Sequence, residues 1–147
     1  MRRVDVTSAA IDVAAALADH DAGGHGASAS FVGRVRGDGG LTELFLEHHP
    51  VMTQAALETL ANDAMARWPL AAVTLIHRVG AMTPGEVIVL VLTSSAHREA
   101  ALAATAFLID RLKTDAPLWK RESFADGRVQ WVEARDSDAR RAAVWEG

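Results

Sequence analysis

Apolar positions along this chain switch repeatedly between a spacing of two and a spacing of three to four, the mark of alternating strands and helices. Val4 to Val6 reads as a short first strand. Thr7 or Ser8 then caps an alanine-rich helix reaching about Asp19. The glycine-rich stretch from Asp21 to Ala27 is a loop by composition. Ala29, Phe31, Gly33 and Val35 alternate with Ser30, Val32, Arg34 and Arg36, giving a strand that enters the turn Gly37-Asp-Gly-Gly40. Leu41 to His49 is expected to return beside it as a hairpin. Pro50 opens a helix over Val51 to Arg67, with Met52, Ala56, Leu60, Ala64 and Trp68 near one face.

Ala72 to Val79 and Glu86 to Thr93 are apolar, β-branched runs separated by the turn signal Met82-Thr-Pro-Gly85. The second is apolar nearly throughout, which predicts a central strand. Ser94 or Ser95 is expected to cap a long helix reaching about Lys113, with Leu102, Ala106, Ile109 and Leu112 or Lys113 on one side, and Pro117 stops it. Trp119 to Phe124 and Arg128 to Ala134 flank a hairpin turn at Ala125-Asp-Gly127, and Ser137 caps a short terminal helix. The order β-α-β-β-α-β-β-α-β-β-α predicts an α+β fold: one domain over residues 1–147, with a largely antiparallel mixed sheet, hairpins and packed helices.

Composition narrows the function. With 147 residues, half of them apolar and 23% charged, the chain is globular and long enough for a substantial core. A net charge of -4, with the two signs nearly cancelling over Arg98 to Arg141, argues against nucleic-acid binding and limits any anion site to a focused pocket. There is no cysteine, which excludes a disulfide scaffold, a thiolate nucleophile and Cys-based zinc sites. No apolar signal core or membrane-length stretch occurs, so the expectation is a soluble cytoplasmic protein with no membrane association.

Thirteen of the fifteen basic residues are arginine, and the only lysines, Lys113 and Lys120, stand seven residues apart. Arginine stays protonated, whereas a desolvated or cation-flanked lysine can act as nucleophile or base. With Arg111 and Arg121 as neighbours, the two lysines are candidates for chemistry; the bland alternative is two surface cations placed by chance. His97 and Arg98 open the long helix, where free N–H groups and the macrodipole favour an anion such as phosphate, although first turns are often merely solvated. Arg34 and Arg36 share a strand face beside a glycine turn, an arrangement that also occurs as plain solvation. His48 and His49 point opposite ways and make a poor metal pair, and His77 reads as a satisfied, half-buried histidine. The tryptophans at 68, 119, 131 and 145 read as core or interface anchors. The sequence carries no P-loop, dinucleotide or metal motif, so no metal or cofactor is expected.

Read as strings, Phe31-Val-Gly-Arg-Val-Arg36, Leu46-Glu-His-His-Pro50, Arg67-Trp-Pro69, Ile76-His-Arg-Val-Gly80, Ser94-Ser-Ala-His-Arg98, the stretch Leu112 to Glu122 (LKTDAPLWKRE) and Trp131-Val-Glu-Ala-Arg135 resemble the large, catalytic subunit of molybdopterin synthase, the MoaE family. The resemblance runs in order from Phe31 to Arg135; the first thirty residues carry little of it, and the glycines at 23 to 26 match nothing in it. It implies an α/β-hammerhead-like fold. It also implies transfer of two sulfurs onto cyclic pyranopterin monophosphate to make the dithiolene of molybdopterin. The sulfur donor would be the Gly-Gly C-terminal thiocarboxylate of a small ubiquitin-like partner, and the assembly a homodimer within a heterotetramer. By the same resemblance Lys113 and Lys120 are catalytic, and Arg36, His97, Arg98, Arg135 and Phe31 belong to the substrate pocket. Arg34 stands where relatives can carry lysine, and His49 where they can carry an aromatic. A competing reading keeps the fold as a non-catalytic module binding a phosphate ligand or partner.

Overall fold

The computed structural model describes residues 1–20, 23–132 and 143–145. Among these, the chain runs β1 (Arg2–Thr7), α1 (Val13–Asp19), β2 (Ala27–Arg34), β3 (Leu41–His48), α2 (Pro50–Arg67), β4 (Leu70–Arg78), β5 (Gly80–Met82), β6 (Val87–Ser95), α3 (Arg98–Asp115), β7 (Leu118–Phe124) and β8 (Val129–Val132). The expected α+β class is observed, with the strands divided between two sheets ordered β1-β4-β6-β2 and β5-β3-β7-β8. Only β1 on β4 is parallel among these pairings. The terminal helix expected after Ser137, and Arg135 before it, lie outside the described residues.

β4 and β6 form the centre of the first sheet, as the apolar run 86–93 predicts. Alternation along each strand assigns the faces. Val73, Leu75, Val89 and Val91 pack on Leu57, Leu60, Ala61 and Ala64 of α2 and on Phe107, Leu108 and Leu112 of α3. Ile76, Leu90 and Leu92 point the other way, onto Ala16 of α1. Both faces of these strands are covered, so the sequence is mostly apolar instead of alternating, and its polar members Thr74, His77, Thr93, Ser94 and Ser95 are buried. A second cluster joins Leu41, Leu44 and Leu46 of β3 to Val35, Val79 and Met82.

Several expectations are corrected. The strand at 27–34 does not pair with the one at 41–48: β2 lies against β6, and β3 lies between β5 and β7. The Val35 N–H bonds the Glu86 carbonyl and the Val35 carbonyl accepts from Gly85, both at 2.9 Å, so the chain stays on the β6 side beyond the end of β2. A 3-10 turn at Asp38–Gly40, with Gly39 and Gly40 at φ 66° and 82°, then carries it to the other sheet. The first helix starts later than expected, because Asp12 and not Thr7 or Ser8 caps it, accepting from the Ala15 N–H at 3.0 Å. Thr7 instead bonds the Ala9 N–H. On α3 the buried side is Ala101, Ala104, Thr105, Leu108 and Leu112, while Leu102 is 61% exposed. Alanine fits either stripe, and Thr105 can face inward because Thr93 Oγ1 lies 3.0 Å from its hydroxyl. Met52 is likewise exposed on α2, whose buried side carries Thr53, Leu57, Leu60, Ala61 and Ala64.

One histidine extends the inward row of β4. Val73, Leu75 and His77 share a face, and His77 is 4% exposed, more deeply placed than the half-buried position expected. Its Nδ1 lies 2.8 Å from the Arg78 carbonyl, so Nδ1 carries the proton and donates. Desolvation is the main reason its pKa falls from 6.5 to about 4; the Arg78 hydrogen bond opposes the fall, and the charges of Lys120, Lys113 and His48 add to it. The folded state therefore holds a neutral imidazole where the unfolded chain takes up a proton. Its contribution is fully present above pH 6.5 and is lost as pH falls from 6.5 to about 4, a change of about 3 kcal/mol. Urea denaturation across that window should show His77→Leu losing markedly less stability than the parent. Parallel curves for the two proteins would remove His77 as the cause.

Candidate functional site

Lys113 lies in the last turn of α3 and Lys120 in the middle of β7. The Lys120 Cα is paired with Leu46 on β3 and with Val132 on β8, and Leu46 in turn with Gly80 on β5. Gly80 follows His77 by three residues. From the other side, α3 lays Leu112 into the core around Val89, the β6 residue opposite His77. The two lysines thus arrive from different elements around one buried imidazole, and both charges act on it. His48, opposite Leu118 on the same β3–β7 ladder, contributes there too and has a buried Nδ1 without a hydrogen-bond partner.

Both lysines are exposed in the single chain, so the partial desolvation expected for them has no source within it. Their arginine neighbours are engaged elsewhere. Arg111 pairs with Asp115 at 2.7 Å and lies over the Phe107 ring, and Arg121 stacks 4.6 Å from the Phe45 ring centroid. The charges of both lysines act on His77, and cations so placed favour an anionic group and can move protons to or from it.

The remaining candidates divide by position. Arg36 follows β2 and, among the described residues, makes a long, exposed contact with Asp38 at 3.7 Å. Phe31 is half a strand back, opposite Val91, with its ring beside Gly33: a Cβ at Gly33 would lie 3.2 Å from Phe31 Cε1 and 2.7 Å from Val89 Cγ1. His97 and Arg98 stand at the opposite end of α3 from Lys113. His97 occupies the N-cap position in extended conformation, its side chain makes no capping bond, and Arg98 is the first helical residue; both are exposed. The cap expected at Ser94 or Ser95 is absent because both serines still belong to β6 and are buried in other hydrogen bonds. From His97 to Lys113 is sixteen residues of one helix and its cap, roughly 24 Å at 1.5 Å per residue. Within one chain the two sets of candidates do not meet.

An apolar cleft of about 690 Å³ runs beside Lys120, lined by Glu47, His48, His49, Pro50, Trp119, Trp131 and Val132. Trp119 and Trp131 are each 54% exposed there, whereas Trp68 and Trp145 close edge-to-face on Phe107 in the interior. His49 also caps α2, its Nδ1 accepting from the Met52 N–H. Among the described residues no group of three or more His, Asp and Glu is arranged to hold a metal. Sequence reasoning missed His77 and His48 as neighbours of the lysines. The signal available was a lone ionisable residue continuing an otherwise apolar strand row.

Residues 6–115 match the family described as MoaE protein. The molybdopterin synthase catalytic subunit of Brucella melitensis is 48% identical over 123 residues, covering 82% of this chain and 76% of that protein. The solved MoaE protein of Burkholderia ambifaria, a molybdopterin biosynthesis protein, superposes with a TM-score of 0.86 at 40% identity, covering 100% of this chain and 99% of that one. The same fold recurs at 20% identity and a TM-score of 0.71, over 92% of this chain and 90% of the other, in a Helicobacter pylori complex of subunits 1 and 2 of molybdopterin-converting factor. The chain belongs to the MoaE family of molybdopterin synthase catalytic subunits, enzymes of molybdenum cofactor biosynthesis.

Proposed function

We propose that this chain, acting as one domain in the cytoplasm, moves sulfur from the thiocarboxylate of a small partner subunit onto cyclic pyranopterin monophosphate, building the dithiolene of molybdopterin. What supports the reading is that Lys113 of α3 and Lys120 of β7, from separate elements, both act by charge on the buried, neutral His77. A thiocarboxylate and the intermediates that follow it are anionic, and ammonium groups presented to it stabilise such charge while supplying or removing protons. Because His77 is held neutral, it adds no third cation. A transient covalent bond to one lysine is the other use of the pair. Lys113 is the more critical, since it leaves a packed helix at a fixed point while Lys120 rides on a hairpin.

The partner reading rests on the cleft beside Lys120. An extended Gly-Gly tail passes where side chains cannot, and the half-exposed Trp119 and Trp131 offer apolar area for the partner's globular body. His97, Arg98, Arg36, Arg135 and Phe31 are assigned to the substrate, with the phosphate at the uncapped start of α3. A pterin monophosphate spans roughly half of the 24 Å between His97 and Lys113. One substrate therefore reaches both sets only if they come from different protomers, and a two-fold dimer supplies two such composite sites.

In an assay with thiocarboxylated partner and pterin precursor, Lys113→Ala should lose at least about 2.7 kcal/mol of transition-state stabilisation, roughly a hundredfold in rate. Near-normal turnover by that folded variant rejects the catalytic assignment. Removing the partner's terminal glycines should abolish turnover and leave residual docking; turnover with a tail-less partner would reject the channel. Mixing inactive Lys113→Ala with inactive Arg98→Ala protein should restore activity, because exchange creates one intact composite site. Confirmed subunit exchange without any return of activity rejects the shared site.

A further inference from the structure

The glycine-rich loop that the family resemblance leaves without a role ends at Gly26, one residue before β2. The first pair of the β2–β6 ladder is Ala27 with Ser95. Just beyond it, a Cβ built on Gly26 would lie 2.3 Å from the Ala96 carbonyl oxygen and 3.4 Å from its carbon. The obstacle is backbone, so no rotamer change relieves it. Ala96 is the residue before His97 and Arg98.

Upstream of Ala96 the chain is pinned on both faces of the sheet. Ser94, fully buried, has its hydroxyl 2.7 Å from His20 Nε2 and 2.8 Å from Ser28 Oγ, and the His20 Nδ1 lies 2.8 Å from Thr74 Oγ1. On the opposite face, Ser95 donates to the Pro69 carbonyl at 3.1 Å. Downstream, α3 is fixed by its packed side. Pressure on the Ala96 carbonyl therefore falls on the short unpaired link at Ala96 and His97, which sets where His97 and Arg98 point.

We propose that Gly26 is a positioning residue for His97 and Arg98: the side chain it lacks allows the loop to pass against Ala96 and so fixes the direction in which the chain leaves β6. This rests on the reading of His97 and Arg98 as substrate-binding groups contributed in trans. The 2.3 Å approach requires a shift of roughly 1 Å when any side chain is added, a displacement that can cost up to about a hundredfold at a positioned site.

The test uses Gly26→Ala in the complete synthase, with His25→Ala as the neighbouring exposed control. Gly26→Ala should raise KM for the pterin precursor by about tenfold or more with a smaller change in kcat, and His25→Ala should leave both unchanged. In mixed dimers Gly26→Ala with Lys113→Ala should regain sites of parental KM, whereas with Arg98→Ala only the raised KM should appear, because its defect lies on the His97 side of the composite site. An unchanged KM in Gly26→Ala, or sites of parental KM in its mixture with Arg98→Ala, overturns the proposal. If Arg98→Ala and Lys113→Ala fail to restore each other, the shared-site reading falls, and Gly26 is then judged by its KM effect alone. Should Gly26→Ala not fold, Ser94→Ala, which removes a pin without adding bulk, should shift KM in the same direction. An unchanged KM in that variant overturns the proposal equally.

Discussion

The packing of α3 on the first sheet is the constraint from which the chemistry follows. Ala101, Ala104, Leu108 and Leu112 sit on the inward stripe, and Phe107 is fully buried between Trp68 and Trp145 with both indoles edge-on. Losing a buried ring of this kind costs about 3–5 kcal/mol, so the helix has little freedom to slide or tilt. An eighteen-residue helix held this firmly acts as a spacer. It keeps an N-terminus that favours anions at one end of the domain and a lysine at the other. The distance between them is fixed by helix rise, not by loop conformation.

The same packing explains how the arginines are used. Arg67 and Arg111 lie over the Phe107 ring, Arg121 bridges the Phe45 and Trp131 rings, and Arg128 covers Phe124. Arg78 pairs with Glu86, whose carboxyl is held below its ordinary pKa first by the Thr83 backbone N–H and then by Arg78. A planar guanidinium serves these stacked and forked contacts better than an ammonium does. The bias towards arginine is thus largely architectural, and the two departures from it fall where a compact charge is presented beside a buried histidine.

Legibility in the sequence followed the range of the interactions. Helices and most strands were readable because period and caps are local: Pro50 opens α2, Pro117 lies just past α3, and the Ala125-Asp-Gly127 hairpin forms as its turn residues require. The division into two sheets was not readable. Whether residues 41–48 return beside 27–34 depends on Val35 being bonded to Gly85 and Glu86, fifty residues away. β5 is three residues long, too short to show a period. The helix stripes were read in part: Leu60, Ala64 and Leu112 are buried and Trp68 packs on the core, but Met52 and Leu102 are exposed. Alanine is compatible with either side, and Thr105 is accommodated inward by its bond to Thr93. For the site, Lys113 and Lys120 stood out by residue type alone, and the motif strings gave the residues proposed for the substrate side. Their separation along α3 needed only helix rise. His77 stayed hidden, since its neighbours come from α3, β7 and β3 and no local pattern joins them.

The structure also bears on why a single copy of such a chain is poorly suited to the reaction. Bringing His97 and Arg98 to Lys113 within one protomer would require breaking or bending α3, which is packed along its length against β2, β6 and α2. Kinking a helix interior ordinarily takes a proline, a glycine–serine pair or a bulge, and residues 98–115 contain no proline or glycine. In the proposed shared site, joining the two ends through symmetry costs no internal strain, because each copy keeps its own helix straight and lends one end to its neighbour. Rigidity that would defeat a self-contained site would hold the proposed composite one in register. It also makes the short link before His97 the natural place for fine adjustment, since the strand behind it and the helix ahead of it are both fixed.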